Sequence, residues 1–190
     1  HKAFFFPKSA DGDEVQTILE TLEAGILATR QPAKIRIAMS IWHRCRKNLA
    51  EKLLFLQKKH ELDVRILLKE DLDIALEVME ILQQLPPGSV RFLPSRNPKI
   101  TYGLHSKLML LEGPYALVPG GESDRQWLSF TGSHNWNYDA HHFNSENWLR
   151  IADRDVHTKL EAHWETLWKM GVDSTNMYVG IAYDSTTCAP

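Results

Sequence analysis

Lys34-Ile35-Arg36-Ile37-Ala38-Met39-Ser40-Ile41-Trp42 and the later Asp63-Val64-Arg65-Ile66-Leu67-Leu68 decide the fold. Both runs are short and rich in aliphatic side chains. The first alternates near period 2 and is β-branched, and both read as strands. Between them, residues 44–60 carry Leu49, Leu53, Leu54 and Leu56 as an amphipathic helix. Ahead of them, Asp11 or Asp13 caps a helix over 14–29. Its apolar face is Val15, Ile18, Leu19, Leu22, Ile26 and Leu27. After them, a helix over 70–85 is stopped by Pro86-Pro87-Gly88, and Val90–Leu93 is a short strand. Phe4-Phe5-Phe6-Pro7 reads as a strand end. Strand and helix alternate through this half, which predicts an α/β layered fold with some parallel pairing.

The second half reads differently. Strands are expected at His105–Leu111, Trp127–Thr131 and Glu146–Ile151. A helix over 156–169 places Leu160, Trp164, Leu167 and Trp168 on one side. The tail after Gly171 has no period. No repeat or low-complexity segment divides the chain. The expectation is one domain over residues 1–170 and a C-terminal tail over 171–190.

Composition bounds the function. The chain has 190 residues with 22 Lys+Arg against 24 Asp+Glu, a net charge of −2. Apolar residues are 43% and charged residues 24%, which excludes a disordered tail, a collagen repeat and a coiled coil. No apolar run reaches the roughly 18 residues of a membrane-spanning helix. A near-neutral charge gives no global attraction to nucleic acid or anionic membranes. Two cysteines, Cys45 and Cys188, make no disulfide framework and no C-x-x-C site. A single bridge and a bridge to another chain both stay open. The start at His1 leads us to expect a processed chain or a fragment. Two acid-free stretches, Ala24–Ala50 and Leu85–Leu111, hold the bases Arg30, Lys34, Arg36, Arg44, Arg46 and Lys47, then Arg91, Arg96, Lys99 and Lys107. They are either solvated faces or a local anion site.

The chemistry concentrates late in the chain. Six of nine histidines lie between 105 and 163. On a strand, His105 and Lys107 share one face. Two adjacent cations make a poor core pair, because both need desolvation. They make a good site for phosphate oxygens, with Lys107 neutralising charge and the imidazole attacking phosphorus or passing a proton. Ser133 and Asn135, also two apart, add neutral donors if that segment continues the preceding strand. Glu146 can fix the imidazole tautomer.

His105-x-Lys107-x4-Glu112 followed by Gly132-Ser133-x-Asn135 resembles the HKD signature of the phospholipase D superfamily. Asn144-Ser145-Glu146-Asn147 matches its later N-x-E-N segment. The resemblance covers residues 4–170 and implies a mixed β-sheet flanked by helices. It departs from the family in two places. Glu112 stands where an Asp is usual, at a position commonly structural. Nineteen residues separate Glu112 from Gly132, far more than usual. This Gly113–Thr131 connection reads as an extended hairpin loop near the site entrance.

The resemblance implies a phosphodiesterase acting in two steps. One histidine forms a phosphohistidine. A second protonates the leaving alcohol and then activates water or another alcohol, so transphosphatidylation is open to it. No cofactor is required, and calcium is possible but not indicated. The two histidines come from two HKD motifs, and this chain has one. A second half from a homodimer partner or a separate chain is therefore expected. The expected reaction is cleavage of a phospholipid head group at a membrane surface. The alternative is a homodimeric endonuclease cleaving DNA or RNA. A secreted or extracellular location follows only from bacterial relatives of the family.

Other residues invite milder readings. His134, the variable position of G-S-x-N, is at most a wall of the site. Trp136 and Trp148 either line a substrate channel or fill the core. His141-His142 is a metal-like pair without further ligands. His157 and His163 sit on a charged helix and read as solvated. Ser133 fails the G-x-S-x-G test for a hydrolase nucleophile, since Asn135 replaces the second glycine.

Overall fold

The run Lys34–Met39 forms strand β2, and Ile35–Met39 are all buried. Burial on both faces follows from its position in the middle of a sheet. It pairs parallel with β3 (Asp63–Lys69) and antiparallel with β5 (Lys107–Tyr115). The parallel pair needs a crossover, supplied by helix α2 (Lys47–His60). The computed structural model describes residues 1–5, 13–70, 74–94 and 104–173. Their strands form one mixed sheet flanked by helices. Its order is β1-β7-β6-β5-β2-β3-β4-β8, with β1 at Lys2–Phe5, β4 at Val90–Leu93, β6 at Asp124–Gly132, β7 at Asn147–Ala152 and β8 at Val172–Asp173.

Helices cover both faces. Helices α1 (Glu14–Thr29), α2 and α3 (Leu76–Leu82) share a core with Ile35, Ile37, Met39, Met109 and Leu111. Helix α5 (Arg154–Met170) sets Trp164 and Trp168 against Ala38, Leu67, Leu108 and Leu110 on the opposite face. The Trp164 indole N–H donates to the Ile37 carbonyl at 3.0 Å. Asp13 caps α1, its carboxylate accepting from the Val15 and Gln16 amides. Asp11, Phe6 and Pro7 lie outside the described residues.

The structure shifts several boundaries. β2 stops at Met39, and Trp42 leaves the sheet to bridge Ile74 and Trp136. The helix expected from residue 44 opens as a 3-10 turn at Arg44–Arg46. The helix expected over 70–85 shrinks to α3, because the Ala75 amide donates to the Trp42 carbonyl and Ala75 stays extended. β5 begins at Lys107 rather than His105. Leu27, assigned to the buried face of α1, is exposed. The acid-free stretches serve mainly as structure: Arg36 pairs with Asp63, Arg46 with Asp13, and Lys34 with Glu112 and Glu161. Arg91 donates to the Trp168 carbonyl. Arg96, Lys99 and Cys188 lie outside the described residues.

The long connection after Glu112 is a hairpin, as expected, but not at the entrance. Its strands extend to the pair Tyr115↔Asp124. That turn lies at the end of β5 opposite Lys107, roughly 27 Å away at the rise of a strand. Close packing explains the extension. A Cβ on Gly25 of α1 would stand 2.2 Å from the Pro114 carbonyl oxygen. The bare glycine lets helix and strand touch.

Candidate active site

The strand ends at the Lys107 edge of the sheet converge on one cavity of about 480 Å³. It is lined by His105, Lys107, Gly132, Ser133, Asn135 and Glu146. The chain reaches it from the start of β5, the end of β6 with the segment after it, and the residue before β7. All six residues were singled out in the sequence.

His105 precedes the strand, yet it still meets Lys107. The Lys107 ammonium lies 3.0 Å from both the Nε2 atom and the carbonyl oxygen of His105. An ammonium only donates, so Nε2 carries the lone pair and Nδ1 the proton. Lys107 is buried and His105 exposed. Burial holds the Lys107 ammonium below the ordinary lysine value; the Glu146 charge opposes this, and Lys69 adds to it.

The neutral donors are fixed in the same way, by bonds on their acceptor side. The Ser133 hydroxyl oxygen accepts from the Asn147 amide at 3.1 Å, and the Ser133 amide donates to the Asn147 carbonyl at 3.1 Å. The Ser133 hydroxyl proton is therefore left to donate elsewhere. Asn135 Oδ1 accepts from the Ser40 hydroxyl at 2.9 Å. Ser40 was not read in the sequence. Its only signal there was one hydroxyl in an otherwise apolar Ile37–Trp42 run.

Gly132 permits the close approach of β6 to β7. A Cβ there would stand 2.2 Å from the Asn147 carbonyl oxygen, which is backbone and cannot swing away. Gly132→Ala is expected to cost about 1–3 kcal/mol in urea unfolding. It should also lower activity, since Ser133 hangs on the same Asn147 peptide.

Three expectations are corrected. Glu146 shares the cavity but accepts from Asn144 at 3.3 Å and makes no hydrogen bond to His105. Its pull is on Lys107. Glu112 does not border the cavity; it pairs with Lys34 at 2.7 Å and with Arg125. The placement near the site is what changes: these ion pairs lie away from the cavity. His134 and Trp136 are fully buried and are not walls. Alternation explains His134: Ser133 and Asn135 face the cavity, so the residue between them faces inward. Trp136 packs edge-on against Trp42 at 4.4 Å, and Trp148 lies against Phe130 at 5.3 Å.

His141 and His142 sit on a short helix α4 (Tyr138–His142). The His141 ring lies 5.9 Å from that of His134. His157 is buried rather than solvated, with Nδ1 3.2 Å from the Leu128 carbonyl oxygen. His163 is exposed. Among the described residues, no group of three or more His, Cys, Asp or Glu side chains could hold a metal ion. No helix among them is long and apolar enough to cross a membrane.

A family model, the phospholipase D-like domain of cardiolipin synthase, matches residues 26–168. The chain belongs to the phospholipase D-like family, with that family's phosphodiesterase fold. Among solved structures it is similar to Nuc from Salmonella typhimurium, described as a phospholipase D family member. That likeness has 19% identity and a TM-score of 0.58, covering 90% of this chain and 95% of the other. NucT from Helicobacter pylori gives 15% identity and a TM-score of 0.58, covering 90% and 98%. Polyphosphate kinase from Porphyromonas gingivalis gives 14% identity and a TM-score of 0.53, covering 93% of this chain but 27% of that one. A comparison with curated proteins gave no match.

Proposed function

We propose that the chain is a phosphodiesterase in which His105 Nε2 attacks phosphorus and forms a phosphohistidine. Lys107, Ser133 and Asn135 hold the non-bridging oxygens and take up the charge that grows on them in the transition state. An incoming phosphate oxygen replaces His105 Nε2 as acceptor of a Lys107 proton, which frees the Nε2 lone pair for attack. The P–O bond to the leaving alcohol breaks, and a second histidine donates its proton to that oxygen. The chain holds one such motif, so a second copy supplies that histidine. The second histidine then takes a proton from a water molecule, whose oxygen bonds to phosphorus as the His105 Nε2–P bond breaks, and both histidines return to their starting states.

The observation that carries the substrate reading is the lining of the cavity. Its side chains are polar, and Trp136 and Trp148, which the sequence offered as the lining of a substrate channel, are in the core. This supports a polynucleotide phosphodiester as the substrate. A phospholipid is the second reading. Phe5 is 71% exposed and pairs with Asn147 beside the cavity, and Phe143 is 68% exposed.

Incubation in EDTA with plasmid and single-stranded polynucleotide, and in parallel with phosphatidylcholine vesicles and ethanol, tests the reading. Polynucleotide cleavage without phosphatidylethanol is expected. Phosphatidylethanol without cleavage would move the substrate to the lipid. No turnover of either, nor of bis(4-nitrophenyl) phosphate, would remove the phosphodiesterase assignment.

A further inference from the structure

Ser40 stands at the end of the apolar strand β2 and is 1% exposed. A hydroxyl buried at such a place is costly unless bonded. Its bond goes to Asn135, 95 positions along the chain and on the wall of the cavity. The backbone around this pair is already fixed. The Trp136 amide donates to the Ile41 carbonyl at 3.1 Å, and the His43 amide donates to the Trp136 carbonyl at 2.9 Å. The Trp42 and Trp136 rings lock at 4.4 Å. What the backbone leaves undecided is which way round the Asn135 amide sits.

From this geometry we infer that Ser40 is a positioning residue: its hydroxyl donates to Asn135 Oδ1 and thereby aims the Asn135 NH₂ group at the substrate phosphate. The reverse amide would turn a carbonyl oxygen toward the phosphate oxygens, a repulsion in place of a donor. Ser40 itself touches no substrate. Ser133 is bonded to the Asn147 peptide and Lys107 to His105, and the Ser40 bond does the same for Asn135, the third of the donors. This inference rests on the phosphate-binding role proposed for Asn135.

A double-mutant cycle on bis(4-nitrophenyl) phosphate tests it, with orthovanadate inhibition as a second readout. Ser40→Ala is expected to lower kcat about tenfold, the worth of one hydrogen bond, with little change in KM. It should weaken vanadate inhibition by a similar factor. Ser40→Thr, which keeps the hydroxyl, should recover most of the loss. Asn135→Ala should lower kcat about a hundredfold. Adding Ser40→Ala to Asn135→Ala should then cost less than twofold.

Equal losses from Ser40→Ala in both backgrounds would overturn the positioning role while leaving Asn135 in place. Parent-like activity of Asn135→Ala would overturn both, and activity of the His105 variant separates that from failure of the phosphodiesterase reading. If Ser40→Ala does not fold, Ser40→Cys takes its place in the cycle, with the same additive outcome counting against the proposal.

Discussion

Replacing His105 by Asn is expected to lower turnover of bis(4-nitrophenyl) phosphate by on the order of 10³-fold or more, with folding unchanged. The loss is large because the imidazole is the atom source of the new bond, and neither Lys107 nor Ser133 can stand in for it. Lys107 is an ammonium held by the His105 carbonyl oxygen, and that bond survives the substitution. The Ser133 hydroxyl accepts from the Asn147 amide and is hydrogen-bonded to no base that could activate it. The fold should persist because His105 is exposed and lies outside the sheet. Melting within a degree or so of the parent chain, with turnover lost, is the expected pair of results. A folded His105→Asn protein with parent-like turnover would remove the assignment of the nucleophile.

Acid should destabilise the protein well before its carboxylates titrate. His134 is fully buried, and its imidazole is pushed down from 6.5 to about 3. Burial is the main cause, followed by the charges of Arg46 and His141. Arg46 is itself anchored by Asp13 at 2.7 Å, so it cannot readily move aside. Above pH 6.5 neither the folded nor the unfolded chain binds a proton at this position. Between 6.5 and 3 only the unfolded chain does, so stability falls as pH falls through that window. The loss is about 2 kcal/mol by pH 5 and on the order of 5 kcal/mol below pH 3. His157, lowered mainly by burial, adds in the same direction. Glu23, Asp63 and Glu112 are held below their ordinary values and lose their contribution only at more acid pH. Urea unfolding at pH 7 and pH 5 isolates the histidine effect. His134→Phe should lose about 2 kcal/mol less than the parent between the two, and an unchanged slope would count against this account.

Spacing made most of the sheet legible, along with the cavity lining. Ile35, Ile37 and Met39 announce β2, and the two-residue steps His105–Lys107 and Ser133–Asn135 announce the donors. The same alternation, applied to the position between Ser133 and Asn135, places His134 in the core. That inward consequence is harder to see, because a histidine in a polar motif draws the eye to chemistry. Partners were illegible where they are distant. Nothing near Ser40 points to Asn135, and nothing near His157 points to the Leu128 carbonyl. Asp155 and Lys159, each two positions away and on other faces of α5, make the surroundings of His157 look wet, while Glu161, one turn on along its own face, is paired with Lys34. The length of β5 was also hidden. Pro114 breaks the strand pattern by eye, although the glycine of α1 that receives it makes the extension fit.

The hairpin beyond Tyr115 has a consequence for how such a chain can diversify. Its turn projects from the rim of the sheet that carries none of the groups proposed to bind phosphate. Residues can be gained, lost or recharged there without moving His105 or its neighbours. Chemistry and outward display are thus assigned to opposite poles of one sheet, and each can drift under its own selection.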